Sequence, residues 1–178
     1  MVRPRLWEAW GPMIQIREAT AADDEAIGEL LVGAFLTNYA RKMPEVVITE
    51  QRKADLRAVA EKRAVAKVWV AERDEKIVGT IALWPLGAKG SEAWVPGGVD
   101  VRHLAVDVSV QGQGVSTQLI EAAEAWARAS GAKSACLHVR RGAKGVRRVY
   151  EQRGYLRDPS GDLDQLPHVF LEALFKHL

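Results

Sequence analysis

The chain has one cysteine, Cys136, in 178 residues, so no internal disulfide can form, and a reducing compartment is the simpler setting. It has no apolar run near the ~20 residues that span a bilayer. Its opening segment, MVRPRLWEAWGP, lacks the continuous apolar core of a secretory signal. A cytoplasmic protein with no membrane partner is therefore the expectation. An excess of charge is missing too. With 25 basic and 23 acidic residues the net charge is +2, too balanced for a dedicated nucleic-acid binder. There is no internal repeat and no low-complexity tract. What remains is 48% hydrophobic and 27% charged, an ordinary globular balance in a chain long enough to bury one core.

Residues 1–12 read as an extension outside the fold, with Trp7 and Trp10 available to dock on the domain or on a second copy of it. One domain, 13–178, follows, and Met13 is a candidate natural start. Ile14, Gln15 and Ile16 alternate as in a strand. Thr20 to Asp23 has capping-box spacing, and Ile27, Leu30, Leu31, Ala34 and Phe35 then share one helical face until Pro44. A second helix is expected over about Glu50 to Ala66, with Leu56, Val59 and Ala60 inward. Two β-rich runs, Lys67–Glu72 and Lys76–Trp84, flank the polar turn Arg73-Asp74-Glu75. A Gly-rich loop, Leu86–Gly98, separates them from the next strand. Short strands are expected at Ser134–Val139 and His168–Phe175, with a basic helix carrying Val146, Val149 and Tyr150 between them. Helices interrupting strands indicate a mixed α/β domain around one sheet.

The chain is organised around Val99–Ala127, where a β-rich segment enters the loop Gln111-Gly112-Gln113-Gly114-Val115-Ser116 and then an amphipathic helix. Glycines permit positive φ and close approach of a ligand to the backbone. The first helical amides lack intrahelical partners and point at the loop, where the helix dipole adds positive charge. A pyrophosphate suits such a turn. The loop has no lysine, which excludes a P-loop, and Thr117 stands where a dinucleotide fingerprint needs its third glycine. A tight turn with no ligand is the competing reading.

LAVDVSVQGQGVSTQLIEAAEAWA resembles motif A of the GNAT superfamily of N-acetyltransferases, Q/R-x-x-G-x-G/A after a strand. Gln111, Gly114 and Ser116 occupy its defined positions, with Ser116 in the slot usually held by Gly or Ala. MIQIREATAADD resembles the family's first strand and helix entry, and VYEQRGY the end of its motif B. The resemblance covers most of the chain from Met13. It implies a central, mixed, strongly twisted sheet of about six or seven strands with about four helices, splayed between the fourth and fifth strands. It also implies acetyl-CoA as cosubstrate, held by Leu104, Ala105, Val106, Gln111, Gly112, Gln113, Gly114, Val115, Ser116 and Thr117. Many members carry an asparagine seven residues before the motif-B tyrosine, and Ala143 stands there instead. One or more of Arg140, Arg141, Lys144, Arg147 and Arg148 is a candidate partner for the coenzyme phosphates, or a solvated helix face.

Acetyl transfer to an amine needs a deprotonated amine, a donor for the developing oxyanion and an acid for the departing thiolate. The resemblance puts Tyr150 near the sulfur as the acid. Asp100 and His103 are candidates for the base, with Glu92 acting through water as another possibility. Cys136 as an acyl-carrying nucleophile is a lesser alternative to a buried, inert thiol. Phe35, Tyr39, Trp84, Glu92 and Trp94 are the candidate acceptor-binding residues, suited to a small amine with an apolar body. No metal is expected, and a homodimer is open. The reading is an N-acetyltransferase acting on a small-molecule amine by direct attack in a ternary complex. The alternatives are a protein N-terminal or lysine acetyltransferase and a non-catalytic coenzyme A-binding module.

Overall fold

In a computed structural model, which describes residues 13–178, eight strands form one sheet with five α-helices packed around it. The expected extension over residues 1–12 lies outside the described residues. In chain order the elements are β1 (Gln15–Glu18), α1 (Asp24–Lys42), α2 (Glu50–Arg57), α3 (Val59–Arg63), β2 (Lys67–Arg73), β3 (Lys76–Trp84), β4 (Gly98–Val106), α4 (Val115–Ala129), β5 (Ser134–Arg140), α5 (Lys144–Glu151), β6 (Leu156–Arg157), β7 (Leu163–Gln165) and β8 (Val169–His177). The sheet order is β1-β2-β3-β4-β5-β8-β6, with β7 also on β8. Every pairing is antiparallel except β4 with β5, which α4 connects.

Local chemistry sets most boundaries. The Asp23 carboxylate accepts the Thr20 backbone N–H at 2.7 Å, and a single 3-10 turn leads into α1. Asp74 and Glu75 both have positive φ, which turns β2 into β3 through a two-residue primed hairpin. Gly131, at φ 87°, ends α4. The helix expected over about Glu50–Ala66 is broken at Ala58, whose ψ of 57° is not helical. The break rotates the following turn, so Val59 stays buried but Ala60 faces solvent, contrary to the expectation. The two extra strands, β6 and β7, are two and three residues long and form only by pairing with β8. Periodicity cannot register segments that short.

The sheet is covered on both faces. Val68 and Val70 of β2 and Ala82 and Trp84 of β3 pack under α1, α2 and α3 with Ile27, Leu31, Leu56 and Val59. Their neighbours Trp69, Ala71, Ile81 and Leu83 point the other way, under α4 with Leu119, Ile120 and Ala123. This is the period-2 alternation of a strand buried on both sides. On β4 the alternation changes phase. Thr80 opposes Ala105 and Ala82 opposes Arg102, so His103 and Leu104 together face Ile81 as a bulge. His103 takes the left-handed φ of 57° that the bulge requires. Val99 and Val101 lie on the α4 side before it; after it Leu104 and Val106 do, and Ala105 joins the α1 side.

Candidate functional site

The glycine loop is built as an open cradle. Gly112 and Gly114 both have φ of 77°, and a Cβ on either would meet nothing within 4 Å. Gly114 is the N-cap of the 15-residue α4, so the helix's first free amides open onto the loop. A cavity of about 340 Å³ runs from Gln111, Gly112, Gly114, Val115 and Ser116 along Leu104, Ala105 and Val106 of β4, with α5 on its far wall. Two other expected contacts lie off it. The Gln113 amide pairs with Arg73 at 3.3 Å and with the Ser109 carbonyl at 3.4 Å, and Thr117 is exposed.

The strands beside the cradle separate. β4 and β5 pair only from Gly98–Val101 against Ser134–Leu137; beyond that β4 has no strand on its β5 side among the described residues. The gap holds a cavity of about 140 Å³, reached by Tyr150 from α5. Tyr150 is 4% exposed, its ring edge-on to Tyr155 at 5.3 Å, and its hydroxyl donates to no described residue. Burial raises its pKa far above the ordinary phenol value, so it stays protonated. Leu104, Asn38 and Val146 line both this cavity and the cradle. On the other side Phe35, Tyr39, His103, His138 and Arg140 line both the gap and a third cavity of about 510 Å³. One passage therefore runs from the cradle through the gap to the large cavity.

The other sequence candidates divide. Phe35 and Tyr39, edge-on at 5.7 Å, form a wall of the large cavity, and Glu92 lines its rim. Trp84 and Trp94 lie outside it. Trp84 is buried beneath the Arg102 guanidinium at 4.5 Å, and Trp94 donates its indole N–H to Asp158 at 2.8 Å while its ring rests on His138. Asp100 is fully buried and lines none of the three cavities. One of its oxygens accepts from the Glu92 backbone N–H and the Arg102 Nε, both at 2.8 Å, and from the Arg102 Nη2. His103 stands edge-on to Trp84 at 5.9 Å with its Nδ1 sealed from water and unpartnered among the described residues. Burial, followed by the positive charges of Lys62, Arg52 and Arg102, pushes its pKa down to about 3. Cys136 is buried and its thiol pKa is raised by burial, which keeps it in the unreactive form.

Of the basic run, only Arg140 faces the passage. Arg141 stacks on Phe170 at 3.5 Å and pairs with Glu172, and Arg147 pairs with Glu151 and Glu172. Lys144 and Arg148 are exposed. Sequence reasoning missed Asn38 and Arg52. Asn38 follows Ala34 and Phe35 at helical spacing, so its place on the inner face of α1 was readable. Nothing in the sequence links Arg52 to a cavity closed by β8.

Residues 25–155 match the model of the acetyltransferase (GNAT) family. No curated protein matches the chain in sequence. The fold is similar to that of a GNAT-family acetyltransferase from Staphylococcus aureus Mu50, at 16% identity and a TM-score of 0.74, covering 93% of this chain and 99% of that one. It is similar to the PaiA N-acetyltransferase of Thermoplasma acidophilum, solved in complex with coenzyme A, at 16% identity and a TM-score of 0.69, covering 90% of this chain and 98% of that one. A GNAT-family acetyltransferase from Elizabethkingia anophelis with acetyl-CoA bound matches at 16% identity and a TM-score of 0.62, covering 93% of this chain and 98% of that one. At these identities the likeness is one of fold.

Proposed function

This chain belongs to the acetyltransferase (GNAT) family, and on that premise we propose that it transfers an acetyl group from acetyl-CoA to the primary amine of a small molecule, by direct attack with both reactants held at once. One observation carries the reading: the passage that joins a phosphate cradle, a gap between strands and a deep side cavity, with a protonated tyrosine at the junction.

The cradle fits the coenzyme. The Gly112–Ser116 backbone, at the positive end of α4, holds its pyrophosphate. The edge of β4 over Leu104–Val106 has backbone groups free of a strand partner on the β5 side and hydrogen-bonds the pantetheine arm. Asn38, which lines both cradle and gap, supplies the amide that Ala143 lacks. Bound there, acetyl-CoA supplies an acyl group already activated as a thioester.

The chain's own residues do the rest. A β4 backbone N–H at the gap donates to the carbonyl oxygen where negative charge develops. The Tyr150 hydroxyl, kept protonated by burial, gives its proton to the departing sulfur. Glu92, the carboxylate that lines the large cavity, carries the amine's proton to solvent through water. Asp100 is a positioning residue: its carboxylate fixes both the Glu92 backbone and Arg102. The side cavity, about 510 Å³ and lined from six elements and the loops between them, is of a size that supports a small-molecule acceptor.

The test is acetyl-CoA turnover, read as free thiol, across a panel of amines. Thiol release that depends on an amine is expected. Tight acetyl-CoA binding with no release from any amine overturns the enzyme reading in favour of a binding module.

A further inference from the structure

The large cavity carries more positive charge than its occupant so far explains. Three arginines line it, Arg52, Arg102 and Arg140, against one carboxylate, Glu92. Both carboxylates within reach are taken by Arg102: Asp100 hydrogen-bonds it from behind, and Glu92 lies 3.4 Å from its Nη2. Arg52 and Arg140 have no acidic partner among the described residues. Each lies instead against one ring of the aromatic wall, Arg52 at 5.7 Å from the Phe35 centroid and Arg140 at 5.6 Å from that of Tyr39. The two rings touch edge to face. The wall thus faces two guanidinium groups without neutralising either.

Guanidinium groups lying over aromatic rings, with their N–H groups unused, are available to bind carboxylate or phosphate oxygens. We propose that the acceptor is an amine that also carries an oxyanion, a carboxylate or a phosphate, which binds Arg52 and Arg140 while the amine reaches the gap beside His103. This rests on the acetyltransferase reading and names the acceptor class within it. It adds an oxyanion to the small amine with an apolar body expected from Phe35, Tyr39, Trp84, Glu92 and Trp94, of which Trp84 and Trp94 lie outside the cavity. His103 is held neutral chiefly by burial, then by Lys62, with Arg52 and Arg102 adding to the positive field around it. That field repels a polycation. It also eases loss of a proton from an ammonium held there, while the oxyanion keeps the acceptor bound.

The acceptors for the test are L-phenylalanine, L-methionine and L-lysine, each against its carboxamide, and phosphoethanolamine against ethanolamine. In the unmodified protein, kcat/KM for the oxyanion-bearing member is expected to exceed its neutral partner by about 10- to 100-fold, the size of a charge-assisted contact. The amino-acid and phosphate pairs separate the two sources. In Arg52→Gln and Arg140→Gln that preference is expected to fall by about 10-fold or more, with Arg140→Lys retaining part of it and acetyl-CoA affinity unmoved. Equal or better turnover of the neutral partners by the unmodified protein overturns the inference without any variant, and leaves the acetyltransferase reading standing. Unchanged preference in both glutamine variants also overturns it. Absence of thiol release with every amine overturns the acetyltransferase reading, and this inference with it.

Discussion

Replacing Tyr150 with phenylalanine separates chemistry from structure. The ring is buried at 4% exposure and packs edge-on against Tyr155, and phenylalanine keeps that packing. The hydroxyl donates to no described residue, so its removal strands no partner. The stability cost is then below about 1 kcal/mol, a Tm shift within about 4 °C for a chain of this size. Catalysis has more to lose. Loss of a positioned general acid costs about 10²- to 10⁴-fold in rate, roughly 2.7–5.4 kcal/mol in the barrier. The assay is thiol release at saturating acetyl-CoA, beside calorimetric binding of acetyl-CoA and a thermal melt. The expected result is a collapsed kcat with affinity and Tm nearly unchanged. Tyr155→Phe is the internal control: its ring touches Tyr150 but lines none of the three cavities, so kcat holds. A Tyr150→Phe enzyme within about threefold of the parent refutes the acid role, since threefold is only ~0.65 kcal/mol.

Asp100→Asn is expected to lower unfolding free energy by about 1–3 kcal/mol in urea, because it leaves the Arg102 charge without its buried partner; full stability with a collapsed kcat would instead make Asp100 a catalytic base. Gly114→Ala places a Cβ in open space, so the folding cost of about 1–2 kcal/mol comes from the left-handed backbone, and calorimetry is expected to show acetyl-CoA affinity falling as the methyl enters the cradle. Asp23 is held well below the usual carboxylate range by the Arg17 guanidinium, at 2.8 Å. Its folded pKa is depressed, so its stabilisation is complete above the unfolded value of about 3.9 and is lost as pH falls through the folded one. The stability gap between the parent and Asp23→Asn is therefore expected to be constant near neutrality and to shrink below about pH 4; a constant gap down to acid refutes the linkage.

The parts of this protein written in the sequence are those set by neighbours in the chain. The capping box at Thr20, the turn at Asp74-Glu75, the glycine cradle and the helix stop at Gly131 each depend on a few adjacent residues. Tyr150 is marked by the resemblance of VYEQRGY to the end of motif B, since helical spacing alone describes a core aromatic equally well. The large cavity is different. Its walls come from α1, the loop after it, α2, the Leu86–Gly98 loop, β4, β5, β7 and β8, and no local signal says that Arg52 and Arg140 share it. The aromatic residues were the natural guess for an acceptor site, but Trp84 and Trp94 are spent on packing and on pinning the Leu86–Gly98 loop. Asp100 is a candidate base by its place on the strand upstream of the glycine loop, where the resemblance implies a catalytic carboxylate in some members. Only its hydrogen bonds in the folded chain reveal that it lies beneath Arg102, fully buried and off the three cavities.

The bulge at His103 acts as a frameshift written in space rather than in codons. Upstream of it, β4 reads in step with β3; downstream, each residue belongs to the opposite layer from the one its number implies. The shift delivers Leu104 and Val106 to the α4 side and Ala105 to the α1 side. Deleting His103 would therefore leave the layers as they are: Arg102 would still oppose Ala82 and Ala105 would still oppose Thr80, with Leu104 alone facing Ile81. What would be lost is the left-handed kink and the imidazole it sets edge-on to Trp84. The extra residue thus adds a side chain to the site without disturbing the packing on either side of it.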